Sequence, residues 1–169
     1  MTPETAAMLT RYNAWANRLI FEAVAALPSG EATKKRETLF GSMAHTLNHN
    51  YVIDLIWQAH LEGRDHGFSA RNTAAPPPLE ELWRAQQGMD RWYMDWSDRQ
   101  TAASLAEEVR FVLIGGNPGA MTRGEILLHV VNHTTYHRGF VADLFYQVPA
   151  RPPTTDLPVF LREAGGPGS

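Results

Sequence analysis

Residues 122–147, TRGEILLHVVNHTTYHRGFVADLFYQ, predict an amphipathic α-helix that carries a pair of histidines. Thr122 and Glu125 have the T-x-x-E spacing in which each side chain caps the backbone of the other, so the helix begins there. Pro149 prevents its extension beyond about residue 147. At about 100° per residue, one apolar face is formed by Ile126, Leu127, Val130, Thr134, Val141, Leu144 and Phe145. The helix must bury this face against other elements.

His133 and His137 lie four residues apart at one edge of the apolar face. Residues at this spacing have Cβ atoms about 5–6 Å apart, so both imidazoles can reach one ion at about 2.0–2.1 Å, the distance zinc requires. The H-E-x-x-H metalloprotease helix uses the same spacing, but its general-base Glu is absent here. His129 lies nearer the polar side, which favours a position behind the ligands or at the rim of a site.

A second histidine pair, His45 and His49, lies in a predicted helix over residues 38–62. His49 and His133 each lie about 11 residues into their helices, so the two pairs can meet whether the helices run parallel or antiparallel. Helix bundles usually build metal sites from side chains on facing helices. The pattern leaves open which of His45 and His49 is the ligand. A site with four histidines would close the coordination sphere and favour a structural ion.

Two further helices are predicted, one capped by Thr2 with Pro3 in its first turn, the other over residues 79–97. Four amphipathic helices bury their apolar faces most simply in a bundle. The connection over residues 64–78 is too long for a tight turn between neighbours. The sequence therefore predicts an all-α fold, a four-helix bundle with a long crossover connection between helices 2 and 3.

The chain of 169 residues suits one domain. We expect the bundle to occupy residues 1–150, with a Pro- and Gly-rich tail at residues 151–169 that is packed on the bundle or partly disordered. Residues 109–114 predict a short strand before a glycine-rich turn.

The overall composition is that of an ordinary globular protein, with 44% hydrophobic residues and a net charge of −3. This charge gives no reason to expect binding to nucleic acid or to an anionic membrane. The absence of cysteine excludes disulfides, cysteine-ligated zinc and a cysteine nucleophile. The chain has no apolar run of about 20 residues and begins without a signal-like segment, so we expect it in the cytoplasm.

Three segments carry a resemblance to a known family. They are residues 12–17 (YNAWAN), residues 46–49 (TLNH) followed by Asp54 and Trp57, and residues 132–139 (NHTTYHRG). The last two resemble the signature segments of the DinB-like (damage-inducible) proteins, and the first resembles that family's first helix. The likeness covers nearly the whole chain.

The resemblance implies a four-helix bundle that holds one divalent metal ion, typically zinc or nickel. The family's ligands match His49, His133 and His137, with the remaining coordination positions open to water. Many members are homodimers, and relatives include bacterial transferases that use low-molecular-weight thiols as well as proteins described as metal-dependent hydrolases. Phe140 departs from the family, which often has Gln there, and makes the expected pocket more apolar.

An open three-histidine site could bind water for hydrolysis or a thiol as thiolate. We therefore expect a metal-dependent enzyme that acts on a small molecule. We expect it to bind neither nucleic acids nor membranes. The alternatives are a non-catalytic stress-response protein with a structural ion, and a bundle whose histidines are held by hydrogen bonds without metal.

Several polar residues near the histidines are weaker candidates. Hydrolysis would need a proton acceptor, and the acidic residues near the histidines in the sequence are Asp54, Glu125 and Asp143. Each is more simply explained as a surface charge or as a partner of an imidazole N–H. Arg138 could bind an anionic group, although a surface ion pair is the simpler expectation, and His60 and His66 are expected at the surface.

Overall fold

The computed structural model describes residues 1–164, and the end of the predicted tail, residues 165–169, lies outside the described residues. The elements within that part are α1 (Pro3–Ala25), α2 (Met43–Glu62), α3 (Leu79–Asp98), α4 (Ala102–Leu105), β1 (Glu108–Val112), β2 (Pro118–Thr122), α5 (Arg123–Leu144) and α6 (Leu157–Ala164). The four long helices α1, α2, α3 and α5 form a bundle, which confirms the predicted all-α class. No helix among residues 1–164 is long and apolar enough to cross a bilayer.

Helix α1 packs against α3 in antiparallel orientation. Near the start of α1, Thr10 Oγ1 lies 2.9 Å from Ser97 Oγ, close to the end of α3. Near the end of α1, the ring of Phe21 stacks on Trp83 with centroids 4.7 Å apart. Ser97 and Trp83 lie at opposite ends of α3, so the two helices run in opposite directions.

Helices α2 and α5 are also antiparallel. The ring of His49 lies 4.7 Å from that of His137, whereas Trp57, two turns later in α2, lies 4.9 Å from His129, two turns earlier in α5. This pairing brings the two histidine-bearing helices face to face, as the sequence predicted.

Helices α1 and α5 run in the same direction. Met1 lies beside Gly124 at the start of α5, and Val24 packs in the same apolar cluster as Leu144 at its end. Helix α2 is therefore parallel to α3, and the connection over residues 63–78 must run back along the length of the bundle. The predicted crossover between helices 2 and 3 is confirmed.

Helix α2 begins later than the sequence suggested, at Met43 rather than near Thr38. Ser42 is its N-cap, and its hydroxyl accepts a hydrogen bond of 3.1 Å from the backbone N–H of His45. Gly41, just before the cap, has a φ of 77°, a conformation that favours glycine. The residues just before Ser42 form a loop instead of the first turns of the helix.

The predicted strand at residues 109–114 corresponds to β1, which pairs with β2 in an antiparallel hairpin. Phe111 of β1 packs edge-on against Trp57 of α2 with centroids 4.9 Å apart. The hairpin therefore covers the end of the bundle where α2 finishes and α5 begins.

Helix α6 lies on the side of the bundle. Phe160 is buried against Tyr12 of α1, with ring centroids 5.8 Å apart. The division of the chain into a bundle over residues 1–150 and a tail over residues 151–169 stays a prediction.

Candidate metal centre

His49 of α2 and His133 and His137 of α5 converge in the bundle. One ring nitrogen from each lies within 4.8 Å of the other two. Nε2 of His49 and Nε2 of His133 are 3.1 Å apart. Two nitrogens bound to one tetrahedral zinc ion at about 2.1 Å would be separated by about 3.4 Å. The three nitrogens are therefore spaced closely enough for one ion to bind them all.

The crossover connection fixes the orientation of His49. Nδ1 of His49 lies 2.7 Å from the backbone carbonyl oxygen of Arg71. A carbonyl only accepts hydrogen bonds, so Nδ1 carries the proton and the lone pair is on Nε2, which faces the other histidines. Metal-binding histidines usually donate their second ring N–H in this way. Phe40 stacks on the same ring, with centroids 4.2 Å apart.

His133 and His137 each have a buried Nδ1 without a hydrogen-bond partner among the described residues. In His133 the nitrogen that faces His49 is Nε2, so the unpaired Nδ1 is the other ring nitrogen, which an ion in the cluster would not pair. Burial, followed by the neighbouring imidazoles, lowers the pKa of His133 to about 3. Burial, followed by His49, lowers the pKa of His137 to about 4. Both rings are therefore neutral at pH 7, the form that binds a metal ion.

The cluster opens into a cavity of about 540 Å³. Its walls are mostly apolar and come from α2, α5, the loop before α2 and the turn of the β1–β2 hairpin. Helix α2 contributes one stripe of side chains, formed by His49, Ile53, Ile56, Trp57 and His60. Helix α5 contributes His129 together with the two histidines of the cluster. A small molecule can therefore reach the histidine nitrogens.

The other four histidines lie outside the cluster. Nε2 of His45 lies 2.9 Å from the carbonyl oxygen of Thr73, so this ring holds the crossover connection. His129 packs against Trp57 and lines the cavity, in agreement with the expected rim position. His60 is not the surface residue that the sequence suggested, because it lines the cavity and its Nε2 is buried. His66 is half-buried, and its Nδ1 accepts a hydrogen bond from the backbone N–H of Phe68.

None of the three acidic candidates is among the described residues that line the cavity. Asp54 is only 1% exposed and accepts a hydrogen bond of 2.9 Å from Gln86 Nε2. Glu125 forms the capping box with Thr122. Asp143 is exposed on the far side of α5 from the core. The alternative of a surface charge is therefore correct for Asp143 and wrong for Asp54.

Arg138 is neither an anion site nor part of a surface ion pair. It is 1% exposed, and its guanidinium donates hydrogen bonds to Asn13 at 2.6 Å, Asn17 at 2.9 Å and Thr135 at 2.8 Å. A charged side chain is buried only where such partners surround it, and these partners lie on α1 as well as on α5.

The contacts of Arg138 continue into a network that joins all four long helices. Asn17 Nδ2 donates to Asp90 Oδ1 at 2.9 Å, and Gln86 Nε2 donates to both Asp90 and Asp54. Burial raises the pKa of Asp54 to about 8 and that of Asp90 to about 6. We refer to Asn13, Asn17, Asp54, Gln86, Asp90 and Arg138 as the buried network.

Sequence patterns did not indicate the loop residues that complete the cavity. These are Leu39 and Phe40 before α2, Arg71 in the crossover connection, and Leu113 and Ile114 at the hairpin turn. They lie in irregular segments, where no helical or alternating period marks the side that faces the bundle.

Comparison with known proteins identifies the family. A model described as the DinB family matches residues 1–168. The Protein DinB of Bacillus subtilis (strain 168) is 30% identical over 160 residues, a match that covers 90% of this chain and 91% of the relative. The family match includes every residue that builds the histidine cluster and the cavity.

Proposed function

The chain belongs to the DinB family, and from this we propose that it is a metal-dependent enzyme acting on a small molecule. The observation that supports the proposal is the set of three ring nitrogens within 4.8 Å of one another, facing a cavity of about 540 Å³. A closed structural site would leave no such space beside the ligands.

His49, His133 and His137 would hold the ion, and zinc or nickel suits three imidazoles. When bound, the ion supplies Lewis acidity, which favours the deprotonated form of a water or thiol at the site. The Arg71 carbonyl keeps the lone pair of His49 directed at the cluster. The apolar walls limit access of bulk water. The reaction is either thiol transfer, with the thiol brought by a co-substrate, or hydrolysis.

A second candidate is a non-catalytic protein in which the ion holds the bundle together. His49 and His133 belong to two different helices and lie 84 residues apart in the chain. An ion bound by both would link α2 to α5 directly, which favours this role.

The first experiment measures metal per chain by elemental analysis, on protein purified without a His-tag or nickel column. We expect about one equivalent of zinc or nickel in the parent and little in His133→Ala. His66→Ala is the matched control, because His66 lies outside the cluster and does not line the cavity, and it should retain the metal.

The second experiment tests turnover. The metal-loaded protein is assayed with low-molecular-weight thiols plus an electrophile, and with panels of esters and amides. Turnover that disappears in His137→Ala supports an enzyme. Turnover of the same size in this variant contradicts catalysis at the histidine cluster, and metal binding without any turnover favours the structural role.

The expectations about partners extend the proposal. We expect a homodimer that acts in the cytoplasm and binds neither nucleic acid nor membranes. Sedimentation equilibrium checks the dimer, and a monomeric mass at micromolar concentration contradicts it.

A further inference from the structure

The cavity is elongated along α2. His49, Ile53, Ile56, Trp57 and His60 follow one another at helical spacing, so they form a single stripe along the helix. With a rise of about 1.5 Å per residue, His49 and His60 are separated by about 16 Å along the axis. The cavity therefore has a histidine end, where the cluster lies, an apolar middle, and a far end beside His60.

Arg71 places a positive charge at the histidine end. Its backbone carbonyl accepts a hydrogen bond from His49, and the residue, which is exposed, borders the cavity. Within the described part of the chain, no carboxylate forms an ion pair with it. Arg71 is also the one lining residue, among those described, with a permanent charge.

Two exposed leucines border the same cavity. Leu39, in the loop before α2, is 68% exposed, and Leu113, at the hairpin turn, is 39% exposed. Apolar side chains held at the mouth of an apolar cavity are typical of a small-molecule site. They extend the apolar surface that a ligand can contact beyond Ile53, Ile56 and Trp57.

We propose that the cavity binds a carboxylate with an apolar body, and that Arg71 is the residue that selects the carboxylate. This inference rests on the proposed function and names the class of its substrate or co-substrate. An anion in an apolar cavity requires a charged partner, and a guanidinium pairs with a carboxylate through two parallel hydrogen bonds. The apolar body lies along the middle of the cavity, between the α2 stripe and the two leucines.

The test uses isothermal titration calorimetry on zinc-loaded protein, with octanoate, octanamide and acetate as probes. Octanamide has the apolar body without the charge, and acetate has the charge without the body. We expect octanoate to bind at least about tenfold more tightly than either, because only octanoate combines a charge-assisted hydrogen bond with apolar contacts. Arg71→Gln should lose about tenfold in octanoate affinity, with octanamide affinity and zinc content unchanged.

Arg64→Gln is the matched control, since Arg64 is exposed, pairs with Glu62 and does not line the cavity. It should bind octanoate as the parent does. Equal octanoate affinity in Arg71→Gln and the parent overturns the role of Arg71. If acetate binds as tightly as octanoate, the proposal that the ligand has an apolar body is wrong.

The two proposals fail in different ways. A parent chain that takes up no zinc contradicts the proposed function, whereas loss of discrimination between the probes in zinc-loaded protein contradicts only this inference. In metal-free protein, the comparison of Arg71→Gln with Arg64→Gln still tests the charge pairing, and equal octanoate affinities overturn it.

Discussion

Two polar regions lie back to back on α5, and their hydrogen bonding differs. His137 faces the cavity, where it and His133 have ring nitrogens without partners among the described residues. Arg138, the next residue, enters the buried network and donates three hydrogen bonds. Asp90 and Asp54 each accept at least one. The network is not fully paired, since Arg138 Nε, Asp54 Oδ1 and Gln86 Oε1 have no partner among the described residues. What distinguishes the two regions is that the histidines border the cavity and the network does not.

The polar groups of the buried network stabilise the fold, whereas the histidines beside the cavity are suited to binding a ligand. A charge that is fully buried is stabilised only by partners in the fold, so the buried network ties α1, α2, α3 and α5 into one arrangement. Three neutral imidazoles beside a cavity leave lone pairs that a metal ion can bind. The two regions should therefore respond differently to mutation, to metal and to pH.

The largest effect is expected for Arg138→Met. Removing the cation leaves Asn13 and Asn17 without their donor and the buried Asp90 carboxylate without a compensating charge, and breaking such an arrangement costs about 3–5 kcal/mol. Urea unfolding of metal-free protein at pH 7 measures the change. The control Arg84→Met removes an exposed i,i+4 pair with Glu80 and should cost less than about 0.5 kcal/mol. A loss below about 1 kcal/mol for Arg138→Met would show that the network does not stabilise the bundle.

The next effect is stabilisation by metal. At free zinc about 100 times its Kd, the free energy of unfolding should rise by about 2.7 kcal/mol in the parent, because the ion binds only the folded site. His133→Ala should show no such rise, whereas His66→Ala should keep it. The measurement is urea unfolding with and without zinc. An equal rise in His133→Ala would place the ion outside the cluster.

The smallest effect is the pH dependence of the network. The pKa of Asp54 is raised from 3.8 to about 8 by burial, so the folded chain keeps a proton that the unfolded chain releases between these values. The neutral rings of His133 and His137 make stability rise with pH up to about 6.5, but the contribution of Asp54 falls as the pH rises from about 4 to about 8. Asp90, with its pKa raised to about 6, contributes in the same direction, while Arg138 opposes both shifts.

Asp54→Asn tests this dependence, because the amide keeps the shape of the side chain without titrating. We expect the free energy of unfolding of metal-free parent protein to fall by up to about 1.4 kcal/mol between pH 7 and pH 8, the equivalent of one proton per pH unit, and that of the variant to fall less. Asp143→Asn, an exposed control, should keep the slope of the parent. A slope in Asp54→Asn as steep as in the parent contradicts the assignment.

Features that depend on local sequence could be predicted. The caps at Thr2 and Thr122 involve residues within one turn, and both are present. The spacing of His133 and His137 is likewise a property of one helix. The crossover followed from the length of a connection, and the family resemblance was confirmed by the match over residues 1–168.

Features that depend on distant contacts could not be predicted. Helix α2 is buried around most of its circumference, so its periodicity did not distinguish His45 from His49. Arg138 was expected at the surface, because its burial requires asparagines on α1 that the sequence of α5 does not reveal. The position of Arg71 depends on the path of an irregular connection that has no periodic pattern.

The crossover connection has a consequence for the order in which the protein folds. His49 and His133 lie 84 residues apart, and the carbonyl that orients His49 comes from the segment that runs back along the bundle. Joining such distant segments is slow, because the loss of chain entropy precedes the contacts that compensate for it. We expect the histidine cluster to be completed late in folding, so metal bound there should prolong the lifetime of the folded chain more than it accelerates its formation.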